Sequence, residues 1–241
     1  MQNARLSLLQ IHLAVLLAGG AGLFAKFVSV SPAVITCART FFGCRALAAV
    51  ALLMKASFRI QSRKDFLMLA FSGEMLALHW FAFFVSIQVS TVAIGLLAFS
   101  SFPLFVTFLE PVVFNERLRR HDVITSLAVV AGLILVTPNW DLSHHLTQGL
   151  LRGIFGAFTL AVLSLMSRSY VQRYPTLTVS FYQQAFACVC DLPFALQWEG
   201  ELLIRDISLL VVLGVVFTGF AQGLAVASLR HLRVQTVGVA Y

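Results

Sequence analysis

Charge is scarce in this sequence. Only 11% of its 241 residues are Asp, Glu, Lys or Arg, less than half the share of about 25% in an average soluble domain. A globule of this length folding in water leaves roughly a quarter of its unfolded-chain surface wet, and the polar groups here are too few to cover it. Soluble enzymes, nucleic-acid binders and disordered tails are thereby excluded. Strand-like alternation of apolar and polar residues is missing, which leaves no case for a transmembrane β-barrel. There is no P-loop, dinucleotide glycine pattern or nucleophile elbow, so energy must come from a gradient or exchange, and no cofactor is implied. Cysteine is limited to Cys37, Cys44, Cys188 and Cys190. All four fall in apolar runs and read as small buried hydrophobes, not as disulfides or a zinc cluster.

Apolar residues fill the space that charge leaves. AVILMFWYC make up 59% of the chain, 22 residues are Phe, and the mean hydropathy is +0.90, which together specify an integral membrane protein. Runs long enough to span a bilayer as helices fall near 7–29, 32–54, 65–87, 91–114, 121–137, 149–167, 176–196 and 207–229. A ninth begins after Arg233 and reaches Tyr241. The first run is too long for a signal-peptide core and no A-x-A site follows it. With the N-terminus in the cytoplasm, twelve of the 17 basic residues fall inside, in groups around Arg5, Lys55–Lys64, Arg117–Arg120, Arg168–Arg173 and Arg230–Arg233. Only Lys26, Arg152 and Arg205 fall outside. The positive-inside rule fixes that orientation, and it explains the net charge of +7 without a nucleic-acid partner.

The chain also resembles itself. SPAVITCARTFFGCRALAAVAL at 31–52 lies over YPTLTVSFYQQAFACVCDLPFAL at 174–196, offset by 143, and VSIQVSTVAIG at 85–95 lies over ASLRHLRVQTV at 227–237, offset by 142. Two units of five spans each must lie inverted to one another, and the loop charges agree: basic 55–64 corresponds to acidic 197–206. Duplication followed by inversion is the pattern of many secondary carriers. The first repeat runs over 1–137 and the second over 149–241. On this reading the counterparts of 100–137 are absent, which predicts a fragment of a ten-span protein of roughly 280 residues.

Ionisable groups inside a bilayer cost about 2.5–3.5 kcal/mol each on insertion scales, so they mark partners or cavities. Arg45 and Glu74 sit at matched depths, about 13 Å from the cytoplasmic end, and are expected to form an ion pair that acts as clamp or gate. Arg39, His79 and Trp80 form a second level, about 22 Å up, suited to a carboxylate- or amine-bearing metabolite. Tyr182 is the repeat counterpart of Arg39, and with Gln183, Gln184 and Gln222 it is expected to complement that cluster, as cavity lining or as interhelical hydrogen bonds. Asp191 lies near the outer end of its span. Gly219 and Gly223 read as helix packing. Glu110-Pro111 suggests a kink. Asp141, His144 and His145 make a poor metal site on a solvated loop, so no metal is assigned.

SFPLFVTFLEPVVFNERLRRHDVITSLAVVAGLILV at 101–136 resembles the end of an EamA domain of the drug/metabolite transporter superfamily. The shared features are Pro103 in the fourth span, Glu116 and Leu118 in a G-E-x-L-like turn, and Gly132 in an apolar run. Asn115 stands where Gly is usual, and both tolerate a left-handed cap. ALHWFAFFVSIQVSTVAIGLL at 77–97 and the Arg-bearing helix 38–52 resemble the family as well. The resemblance implies an all-α integral membrane protein with a ten-helix 5+5 inverted-repeat transporter fold. Eight full spans and a partial ninth are present here. It implies a central cavity lined by spans 1–4 and 6–9, and a multi-pass exporter of small metabolites in the bacterial inner membrane. The implied partners are a small-molecule substrate and the lipid bilayer, with a homodimer left open. The alternatives are a non-transporting structural or sensory bundle, or an enzyme acting on lipid-linked substrates.

Overall fold

The computed structural model describes residues 2–136 and 144–240, and among these all of the regular secondary structure is helical. The helices are α1 (Gln2–Phe27), α2 (Pro32–Leu53), α3 (Arg63–Val89), α4 (Val92–Phe99), α5 (Phe102–Phe114), α6 (Arg120–Val136), α7 (His145–Tyr170), α8 (Thr176–Ala195), α9 (Ile204–Gly214), α10 (Ala221–Ser228) and α11 (Val234–Ala240). A π-helical segment, Val215–Phe220, joins α9 to α10.

The boundaries follow from local chemistry. Ser31, Ser62 and Thr91 are extended residues whose hydroxyls accept from Val34 N, Asp65 N and Ile94 N, so each satisfies one of the orphan donors of a new helix. Pro32 follows at the first helical position, where its missing N–H costs nothing. Asn115 ends α5 in the left-handed conformation, at φ 53° and ψ 38°. Pro103 sits in the first turn of α5, just beyond the break at Ser100 and Ser101 that divides the fourth span.

Six helical segments are long and apolar enough to cross a membrane: Ala4–Phe24, Pro32–Leu53, Arg63–Val89, Val92–Phe114, His145–Tyr170 and Ile204–Ser228. The sequence reading expects eight. The two others, α6 and α8, are helical but fall short of that measure. The described part of α6 has 17 residues, and α8 carries Gln183, Gln184 and Asp191 on its buried side, which lowers its hydropathy. The chain is a multi-pass helical membrane protein.

The bundle centres on α3, which packs along α7 and α8, and on α2, which packs along α8 and the α9–π segment. Glycine sets how closely these helices approach. A Cβ on Gly43 of α2 would come within 3.1 Å of Gly214 O and 3.3 Å of Gly219 N, and one on Gly156 of α7 within 3.3 Å of His79 O. Close approach of this kind is how helices gain dispersion energy where lipid removes the hydrophobic drive. Gly219 thus packs as expected, while Gly223 meets only Leu47.

Hydrogen bonds gather the loops at two ends. Thr178 donates to Ser57 O, Gln61 N to Tyr174 Oη, and Gln172 to Arg230 O, which joins loops 54–62, 171–175 and 229–233 at a basic end. Ser29 N donates to Asp206, Gln88 to Val30 O and Ser86 to Gly149 O at the opposite end.

Candidate functional site

A cavity of about 290 Å³ lies among α1, α3, α4, α7, the π-helical segment, α10 and α11. Its walls are apolar and aromatic, with Trp80, Phe83, Phe99 and Phe217 prominent, and its polar lining is His79, Ser164, Ser167 and Gln222. Apolar walls with few placed polar groups are the usual make-up of a small-molecule site. His79 is 1% exposed, and its Nδ1 donates to Gly156 O at 2.8 Å, which fixes the ring between Trp80 and Phe99. Behind the opposite wall runs an amide chain. Gln183 donates to Ser167 Oγ at 2.9 Å, Gln184 to Gln222 Oε1 at 2.6 Å, and Gln222 reaches Gln183 Oε1 at 3.5 Å. The chain orients the two residues that face the cavity, Ser167 and Gln222.

Arg39 supports this site from outside it. Its side chain is wholly buried, its Nε donates to Thr218 Oγ1 at 2.8 Å, and its guanidinium lies 3.3 Å from the centre of the Trp80 ring. Nη1 and Nη2 have no hydrogen-bond partner, nor does Trp80 Nε1. A cation stacked on an indole away from water gains about 2 kcal/mol or more, and here it presses the ring that lines the cavity. Thr218 accepts this bond because the π-helical turn also lets it donate to Leu213 O.

A charged knot closes the basic end. Glu110 is 1% exposed and accepts from Val234 N at 2.6 Å and Gln235 N at 3.0 Å, so its carboxylate caps α11. Arg168 binds Glu110 at 2.6 Å and Glu116 at 2.7 Å, and Arg233 binds Glu116 at 2.7 Å. Burial raises the Glu116 value, but the hydrogen bond and charge of Arg168 and the charge of Arg233 outweigh it and hold the carboxyl below its ordinary range. Beside this knot Asp65 accepts from Tyr174 Oη at 2.6 Å and pairs with Arg173 at 3.2 Å. Burial, followed by that bond to Asp65, pushes the Tyr174 hydroxyl up.

Several sequence expectations are corrected by this geometry. Arg39 does not line the cavity; it stacks on Trp80, which does. Tyr182 does not line it either. It donates to Phe58 O and packs on Phe66 and Phe186, which hold its ring against the 54–62 loop and the start of α3. Arg45 and Glu74 form no ion pair: both are exposed, Arg45 lies over Phe41 at 5.4 Å, and Glu74 faces a groove between α3 and α8. Matched depth did not bring them together because α2 packs on α8 and the α9–π segment far more than on α3. Gln183 lies one layer behind the wall. Glu116 joins the knot while Leu118 is exposed. His144 caps α7 by accepting from Leu146 N, with its ring stacked on His145; Asp141 lies outside the described residues. The four cysteines are free thiols.

The sequence reading missed the knot. Arg168 and Arg233 enter that reading only as cytoplasmic charges that set orientation, yet their side chains are only 19% and 18% exposed. Glu110, a lone acid inside an apolar run, was the residue that could have revealed them, since a buried carboxylate needs a cation.

With this arrangement in view, the chain's relatives can be stated. Residues 5–137 match the EamA-like transporter family, and the chain belongs to that family. No curated protein matches it. A solved crystal structure, described only as that of a protein, shares the fold with a TM-score of 0.75 and 20% identity, over 99% of this chain and 82% of its own.

Proposed function

We propose that the chain is a secondary transporter that exports a small amphiphilic or amino-acid-like metabolite across the bacterial inner membrane. The observation that carries this reading is the cavity between helices of both halves, apolar except for His79, Ser164, Ser167 and Gln222. The basic end is cytoplasmic under the positive-inside rule, and so is the N-terminus.

The two halves are inverted repeats that move by alternating access. Packing supports this: α3 lies on α7 and α8, while its counterpart α9–π–α10 lies on α1 and α2. Paired acids support it independently. Asp65 and Asp206 are each the third residue of their helix, and both are buried. Asp65 ties to Arg173 and Tyr174 in the α7–α8 connection, and Asp206 to Ser29 in the α1–α2 connection. Each half thus holds the other's hairpin, at opposite ends. The Glu110–Arg168–Glu116–Arg233 knot serves as the cytoplasmic latch, which must part for the cavity to open on that side.

Proteoliposomes holding the full ten-span protein should move a labelled member of a broad metabolite panel, and Trp80→Ala or Gln222→Ala should lower flux at least tenfold at equal protein content. Absence of flux across the whole panel would overturn the reading.

A further inference from the structure

A second opening, of about 420 Å³, lies between α3 and α8. It shares no lining residue with the central cavity. The helix period explains the separation: Leu76, His79, Trp80 and Phe83 occupy one face of α3, while Glu74, Ala77, Leu78 and Phe81 occupy the other. At the base of the groove is Asp191, only 5% exposed, with Oδ2 lacking any hydrogen-bond partner. At its rim are exposed Glu74, Phe81 and Phe194. Glu74 and Asp191 lie 11 and 15 residues into α3 and α8 from the basic end, about 16 and 22 Å along their axes, and the exposed Phe81 and Phe194 mark an outward-facing opening within the apolar length of the bundle.

Two carboxylates in an apolar, membrane-facing groove require explanation, because charge there is costly unless something compensates it. No basic side chain pairs with either one among the described residues. The Thr36 hydroxyl and the charge of Arg39 both act on Asp191, but Arg39 makes no ion pair with it, its guanidinium being stacked on Trp80. Ca2+ and Mg2+ take six or more oxygen ligands and zinc takes three or four protein ligands, whereas the described residues contain no group of three metal-binding side chains. Carbon walls and two aromatic rims beside two acidic groups instead complement a positive centre on an apolar body, which carboxylates attract and aromatic faces accept.

We infer that the α3–α8 groove is a binding site for lipophilic organic cations that enter from the bilayer, with Asp191 and Glu74 as its counter-charges and Phe81 and Phe194 as its rim. The site is distinct from the central cavity and stands whether or not that cavity carries the transported metabolite.

Tritiated tetraphenylphosphonium binding to the chain in nanodiscs tests the assignment, with tetraphenylborate as a competitor of the same shape and opposite charge. Wild type should bind saturably. Asp191→Asn and Glu74→Gln should each weaken binding at least tenfold, Phe194→Leu about threefold, and tetraphenylborate should not compete. Glu74 and Phe194 are exposed, so their variants keep the test valid even where Asp191→Asn does not fold. Saturable binding that survives in Glu74→Gln and Phe194→Leu at wild-type affinity, equal competition by tetraphenylborate, no saturable binding in wild type, or loss of binding in Gln222→Ala would each overturn it.

Discussion

Asn115 shows what a single residue contributes to this fold. It holds φ at 53°, a conformation that costs an L-residue with a Cβ roughly 1–2 kcal/mol unless, like Asn, it bonds locally. Asn115→Gly should therefore be neutral or slightly stabilising, and Asn115→Val should lose about 1 kcal/mol or more, as read by thermal unfolding in detergent. Its neighbour Glu116 makes the knot sensitive to acid. The folded-state value lies below the ordinary 4.5, so the stabilisation is complete above the unfolded value and is lost as pH falls through the folded one. Glu116→Gln should melt below wild type at pH 7, and the gap should close on titration below about pH 4. The turn was legible in the sequence, because a left-handed cap leaves a residue-type mark at one position. The partners of Glu116 were not. Arg168 and Arg233 lie far from it along the chain, and a basic residue near a helix end reads the same whether it faces water or a carboxylate.

Among the elements, α11 depends most on a group outside itself. Its first backbone donors are met by Glu110 of α5, and the same carboxylate takes Arg168 of α7. Glu110→Ala strands those donors and that cation together, and should cost about 3–5 kcal/mol, measured by denaturant unfolding of the purified protein. The α2 crossing is equally exacting. At Gly43 a Cβ would meet backbone atoms of Gly214 and Gly219, so Gly43→Val should force the helices apart and lower the melting temperature by several degrees. Helix positions were readable from apolar run length alone, to within a few residues at most ends. Which helix lies on which was not. The Arg45–Glu74 expectation failed on that point, since depth is a property of one helix and contact a property of two.

At the scale of the molecule, orientation is the property most open to direct test. Single cysteines placed at Arg59 and Glu201, in a background without the native thiols, should label differently with an impermeant maleimide on intact cells. Glu201→Cys should react and Arg59→Cys should not; the reverse pattern would turn the proposed topology over. The π-helical segment acts at the same scale. An i→i+5 turn holds one residue more than an α-turn, so Val215–Phe220 shifts the register between α9 and α10 by one residue while the two still form one continuous span. Thr218, the acceptor for Arg39, sits within that bulge, so the widened turn carries the hydroxyl that holds a buried cation against the wall of the cavity.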